Sequence, residues 1–275
     1  MDLKKLMNQS FFTRTASGIV LVLILLAAGL LGGEVLYVFT LVISLVGVYE
    51  MLGVVGLKNS LLGCFAYIGT VLYYILIRTY ETEYTELLII GYLMAVLAVY
   101  VFTYPKYRTE QVLHVFFSLI YAGILMSYIY LVRSTEDGIV YIWLIFLCSW
   151  GCDTCAYLTG VTCGKHKMAP ILSPKKSVEG GIGGVVGAVL LGALYGFLMR
   201  NNVSIEYPVL LCGIICGVGG LISMVGDLAA SAVKRNYEIK DYGKLIPGHG
   251  GILDRFDSVL FTAPVIYYLV LFFAS

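Results

Sequence analysis

Nine stretches of at least 17 residues in this chain are almost wholly apolar, near 17–33, 35–57, 61–77, 87–104, 112–132, 139–160, 182–199, 208–226 and 258–274. A backbone that enters hydrocarbon must satisfy its own N–H and C=O groups, and about 20 helical residues cross a core of about 30 Å. Bare strands would leave those groups unpaired, so each run is read as a helix. Composition agrees: 60% of the 275 residues are hydrophobic and 13% are charged, against about 25% charged in an average soluble domain. That excludes an ordinary water-soluble enzyme. The seven cysteines form no spaced framework in polar sequence, which argues against a secreted disulfide scaffold. The expected fold is an all-α polytopic membrane protein of about nine transmembrane helices, with its N-terminus cytoplasmic and its C-terminus outside. Five helices fall in 1–135 and four in 136–275.

Small residues recur in the later runs, at Gly183, Gly184, Gly187, Ala188 and Gly192, then at Gly213, Gly217, Gly219 and Gly220. Their spacing suits close approach of packed helices. The basic start and the apolar run that follows have the outline of a signal peptide. No small-x-small cleavage site follows in polar sequence, so a retained anchor is expected. Residues 2–14 read as a short interfacial amphipathic helix.

The basic residues test the layout. With the N-terminus inside, 15 of the 18 Lys and Arg residues fall in inside segments, and only Arg78, Arg133 and Arg200 fall outside. That asymmetry is the one expected of cytoplasmic loops. The two longer polar segments, 161–181 and 227–257, both lie inside and hold two of the three histidines. Loops of this kind carry function more often than short bland ones.

In 227–257, Asp227, Ser231, Lys234 and Arg235 share a helical face if the eighth run continues inward. A carboxylate with a hydroxyl and two cations beyond it suits a metal-bound phosphate. The helical pattern breaks at Gly243 and at Pro247-Gly248-His249-Gly250-Gly251, where glycines let backbone N–H groups approach an anion. Asp254, Arg255 and Asp257 then open the ninth run. Each feature also has a plain structural reading: an Asp at a helix start complements the dipole, boundary cations set topology, and Gly-Gly makes a turn. Their density between two spans points to ligands or metal, because charge there is costly unless neutralised.

Asp153 lies inside the sixth run, where a charged residue is a functional candidate or a packing group paired with a hydroxyl. After it come Lys165, His166 and Lys167, then Ser173-Pro174-Lys175-Lys176 and Glu179, two basic clusters that form either a mobile clamp for a polyanion or a lipid-surface patch. Gly160 to Lys165 has the outline of a phosphate-binding loop, but the glycine spacing is short and no strand precedes it, so it is rejected. Cys148, Cys152 and Cys155 share a face in apolar sequence, where cysteine serves as a small packing residue. Glu50 is another boundary acid, structural or part of the site.

Two regions carry a family resemblance. Ser231-x-x-Lys234-Arg235, Lys240-Asp241-x-Gly243, Pro247-Gly248-His249-Gly250-Gly251 and Asp254-Arg255-x-Asp257-Ser258 closely resemble the signature of phosphatidate cytidylyltransferases (CDP-diacylglycerol synthases). Asp153-Thr154, Gly164-Lys165-His166-Lys167 and Ser173-Pro174-Lys175-Lys176-x-x-Glu179-Gly180 resemble that family's other cytoplasmic region. The resemblance covers roughly 150–262. Cys155 stands where the family usually has Gly, and Val161 where it commonly has Arg.

The resemblance implies Mg²⁺-dependent transfer of CMP from CTP to phosphatidate, giving CDP-diacylglycerol and pyrophosphate, on the cytoplasmic face of the inner membrane. It further implies Asp227 and Asp254 as Mg²⁺ ligands, with a second cation such as K⁺ allowed for, and Asp257 beside them. Lys234, Arg235, Lys240 and Arg255 would hold phosphates, with Asp241 and His249 in the same catalytic set. Asp153, Lys165, Lys167, Ser173, Lys175, Lys176, Ser231, Gly248, Gly250 and Gly251 would bind substrate. The partners expected are CTP, phosphatidate and membrane lipids, a homodimer is allowed for, and no nucleic acid is expected. A CTP-dependent polyprenol or phytol kinase is the rival enzyme, differing in which part of CTP enters the lipid. A transporter would need polar residues running to a midplane site, whereas charge here stops at one boundary.

Overall fold

The computed structural model describes residues 3–80 and 82–274, with side chains from 15 to 80 and from 82 to 273. Its helices are α1 (Leu3–Leu31), α2 (Gly33–Val54), α3 (Leu61–Tyr80) and α4 (Thr85–Phe102). Then come α5 (Thr109–Arg133) and α6 (Gly138–Cys163), followed by α7 (Val178–Met199), α8 (Pro208–Asn236) and α9 (Leu253–Ala274). Eight of these, α2 to α9, are long and apolar enough to cross a membrane, and α1 adds a shorter apolar stretch, Thr15–Leu31. The all-α polytopic expectation therefore holds. The helical part of the N-terminal interfacial expectation is present from Leu3, while residue 2 and the side-chain faces of 3–14 lie outside the described residues.

One departure is a small antiparallel hairpin, β1 (Lys167–Ala169) and β2 (Ser173–Ser177), where the sequence reads as a loop. Two helices also widen locally into π-helical turns, α5 at Leu119–Ile124 and α6 at Leu147–Gly151. Such turns shift the register of the side chains that follow. The second lies immediately before Cys152 and Asp153.

The chain forms two compact units that are not consecutive stretches. The first comprises Met1–Leu26, Glu34–Ser127 and Asp241–Arg255; the second comprises Ala27–Gly33, Tyr128–Lys240 and Phe256–Ser275. In the first, Leu36, Val48, Met51, Leu62, Val115 and Leu119 are fully buried. Its buried polar groups are paired, as an apolar interior requires: Ser44 Oγ with Tyr74 Oη at 2.7 Å, Tyr73 Oη with Ser127 Oγ at 3.0 Å, and His114 Nε2 with Met51 O at 2.8 Å.

The second unit packs through small residues, as their spacing predicts. A side chain on Gly184 would meet Ala156 and the Cys152 carbonyl, and one on Gly220 would meet Ala188. Cys148 lies against Gly219 and Cys155 against Gly187. The cysteine stripe thus fills the narrow gaps that the glycines open, and Cys148 and Cys152 are fully buried. Tyr195 Oη donates to Val140 O at 2.9 Å, tying α7 to α6.

Candidate functional site

In the second unit α8 continues past the apolar run to Asn236, about three further turns at 3.6 residues each. Asp227, Ser231 and Lys234 therefore share a helical face. The Lys176 ammonium on β2 pairs with Asp227 Oδ2, each side chain about a quarter exposed. Asp153 on α6 lies within electrostatic reach of both Lys176 and Asp227. Asp257 on α9 is within reach of Asp227, Lys234 and Asp153. Three carboxylates and two ammonium groups from four elements thus face one another inside the unit.

A cavity of about 430 Å³ opens beside them, lined on its polar side by Asp153, Lys175, Lys176, Ser177 and Asp227 and on its apolar side by Tyr157, Val161, Met168 and Met224. That is the size range of small-ligand sites. Lys165, Lys167, Ser173, Ser231, Lys234 and Arg235 do not line it.

The hairpin is what aims Lys176. Lys167 stands opposite Ser177 and Ala169 opposite Ser173, and the alternation of β2 leaves Lys175 exposed while Lys176 is half-buried. Ser177 then caps α7, its Oγ accepting from Gly180 N at 3.1 Å. Glu179 in the first turn accepts from Lys165 N and His166 N, each at 3.1 Å, and contacts His166 Nδ1 at 2.5 Å. The basic segment is therefore anchored at both ends, and a helix N-terminus with its cap and carboxylate holds it.

The carboxylates bear on the implied Mg²⁺. Among the described residues no group of three His, Cys, Asp or Glu side chains could hold a metal ion alone. Mg²⁺ is commonly bound by one or two carboxylates plus substrate phosphates and water. The hard oxygen donors of Asp227 and Asp257, with Asp153 nearby, fit that mode.

The Gly-rich segment belongs to the first unit. Ile246 and Gly250 pair as an isolated bridge, with Ile246 N on Gly250 O at 2.8 Å and His249 N on Ile246 O at 2.9 Å. Gly248 and Gly250 take φ values of +77° and +86°, a region in which a side chain is strained. Two buried carboxylates clasp this turn. Asp254 Oδ2 accepts from Tyr242 N at 2.8 Å and from Gly251 N at 2.9 Å. Glu50 on α2 accepts from Ile252 N at 3.0 Å and from Leu253 N at 2.9 Å, at the start of α9. Glu50 and Asp254 are 3% and 5% exposed. A side chain on Gly243 or Gly251 would strike the Glu50 carboxylate.

Arg255 is half-buried, and its Nε has no hydrogen-bond partner among the described residues. Lys240 and Asp241 are exposed. The bonds made by Glu50, Ser177 and Glu179 are not read from sequence. A boundary acid, a serine before a helix and an acid in a first turn are the only signals there.

A model of the cytidylyltransferase family matches residues 12–273. The chain is 34% identical to a phosphatidate cytidylyltransferase of Staphylococcus haemolyticus, across 94% of this chain and 98% of that protein. Proteins of the same name from Staphylococcus epidermidis and Staphylococcus aureus are 32% and 33% identical to it, with the same coverage. The match runs through the first five helices as well as the signature segments, and on that footing the chain belongs to the cytidylyltransferase family.

Proposed function

We propose that this chain is an integral membrane phosphatidate cytidylyltransferase, acting on the cytoplasmic face of the inner membrane. The observation that carries the reading is the cavity in which Asp153, Lys175, Lys176 and Asp227 stand against an apolar wall of Tyr157, Val161, Met168 and Met224, in a chain of this family. An amphiphile with a phosphate head and apolar tails meets both halves of that lining. The 15-to-3 split of basic residues supports the cytoplasmic side.

The reaction needs little proton chemistry. An oxygen of the phosphatidate phosphate, already ionised near neutral pH, attacks the α-phosphorus of CTP. The new O–P bond forms as the bond to the bridging oxygen breaks, and pyrophosphate leaves with that electron pair. Catalysis is then positioning and charge neutralisation. Lys175 and Lys176 take phosphate oxygens at the cavity, with Lys234 and Arg235 beyond it on α8. Asp227 and Asp257 hold Mg²⁺, with Asp153 beside them; the cation, when bound, neutralises phosphate charge and orients the phosphates for in-line displacement. Asp254, expected from the resemblance as a second ligand, is assigned here to the Gly-rich turn, because its Oδ2 already accepts two backbone N–H groups. The turn itself presents N–H groups and His249 to phosphate.

The test is a detergent-micelle assay of the purified protein with phosphatidate and CTP labelled at the α-phosphate, with Mg²⁺ or with EDTA. Label enters lipid only with Mg²⁺, and Asp227→Ala reduces the rate at least about 10²-fold, the scale of losing one electrostatic stabiliser. Lipid labelled only from γ-labelled CTP would replace the transferase with the kinase.

A further inference from the structure

We infer that Ser17 on α1 is a positioning residue that fixes the tautomer of His249. Ser17 Oγ lies 3.0 Å from Pro247 O and 3.0 Å from His249 Nδ1. The carbonyl of Pro247 can only accept, and a serine hydroxyl has one proton. That proton goes to Pro247 O, so the contact with the ring requires Nδ1–H to donate to Ser17 Oγ. In neutral His249 the proton therefore sits on Nδ1, and any contact of the ring with a phosphate runs through Nε2. The bond made by one ring nitrogen sets the protonation of the other.

The backbone reinforces the placement. His249 N is tied to Ile246 O at 2.9 Å, and Ser17 holds the carbonyl two residues before His249, so one hydroxyl grips both the turn and its imidazole. The next residue, Gly18, lets α1 lie beside the ring: a side chain there would meet His249 Cε1 at 3.5 Å. Ser17 is 232 residues from His249, and no signature motif includes it. Its role in the reaction rests on the proposed function, since His249 matters there as a phosphate contact.

The experiment separates the two. Full-length protein labelled with ¹⁵N-histidine, in detergent, is compared as wild type, Ser17→Ala and Ser17→Thr, with the His249 signal assigned by its loss in His249→Asn. In the wild type the neutral ring shows the Nδ1–H pattern. Ser17→Ala moves it toward Nε2–H, and Ser17→Thr, which keeps the hydroxyl, restores it. In the α-labelled CTP assay, Ser17→Ala lowers kcat/KM roughly tenfold, the effect of about one hydrogen bond, and Ser17→Thr recovers most of it. An unchanged His249 tautomer in Ser17→Ala overturns the inference, whatever the activity. A shifted tautomer with unchanged kcat/KM overturns the positioning role. A wild type without transferase activity but with the tautomer shift would count against the proposed function and leave the Ser17–His249 assignment standing.

Discussion

Glu50 shows how much a single buried carboxylate can organise. It sits on α2, yet its two oxygens receive the N–H groups of Ile252 and Leu253, the first unsatisfied donors of α9. A helix N-terminus leaves such donors without intrahelical partners, and the cap here comes from 202 residues earlier in the chain. Two hydrogen bonds to a charged acceptor contribute about 1.5–3 kcal/mol each. Glu50→Ala should therefore destabilise the protein by about 3 kcal/mol or more, and Glu50→Gln by less, since the amide keeps one acceptor. Thermal denaturation in detergent, with limited proteolysis across 243–249, measures both. A Glu50→Ala protein as stable and as protease-resistant as the wild type would show that the clasp is not what holds the turn. The sequence marks Glu50 as a boundary acid and no more, because its partners are backbone groups and no residue type announces them. Asp254 is similar. Its position at a helix start allows either a metal ligand or a structural acceptor, and only the bonds to Tyr242 and Gly251 distinguish these.

Helices with strong periodic signals are the most legible elements. The nine apolar runs correspond to α1 through α9, and the face shared by Asp227, Ser231 and Lys234 exists because α8 runs on to Asn236. The glycine spacing of α7 foretells close packing. At Gly184 an added Cβ would stand 2.9 Å from Ala156 Cβ and 3.0 Å from the Cys152 carbonyl, so a larger side chain must push α6 and α7 apart. Overpacking of this kind costs about 1–3 kcal/mol or more. Gly184→Leu should lower the yield of folded protein and its melting temperature. At Gly91 on α4 an added Cβ would meet nothing within 4 Å, so Gly91→Ala should be neutral or stabilising by up to about 1 kcal/mol through helix propensity. Equal melting temperatures for Gly184→Leu and Gly91→Ala would refute the packing account. The hairpin at 167–177 is not legible: lysines and Pro174 read as a loop, and its order comes from Ser177 and Glu179, which hold it to the start of α7.

The chain passes from one unit to the other within α1 and again within α9, so the segment Asp241–Arg255 belongs with the N-terminal helices rather than with the neighbouring signature residues. A linear reading divides the protein near residue 135 because helices follow one another there. It has no access to tertiary returns such as Glu50 to Leu253 or Ser17 to His249. What it does reach is the distribution of charge, and that carries a claim about the molecule in its bilayer. If the basic residues set orientation, every polar segment assigned to chemistry faces the cytoplasm. Cys163, exposed at the end of α6, then lies inside, and Asn201, just past the end of α7, lies outside. In a Cys64→Ser background, a membrane-impermeant thiol reagent applied to intact cells should leave Cys163 unlabelled and should label it after the membrane is opened. Asn201→Cys should label in intact cells. The reverse pattern would place the carboxylate–lysine cavity on the outer face, away from cytosolic CTP, and would remove the nucleotide from the proposed reaction.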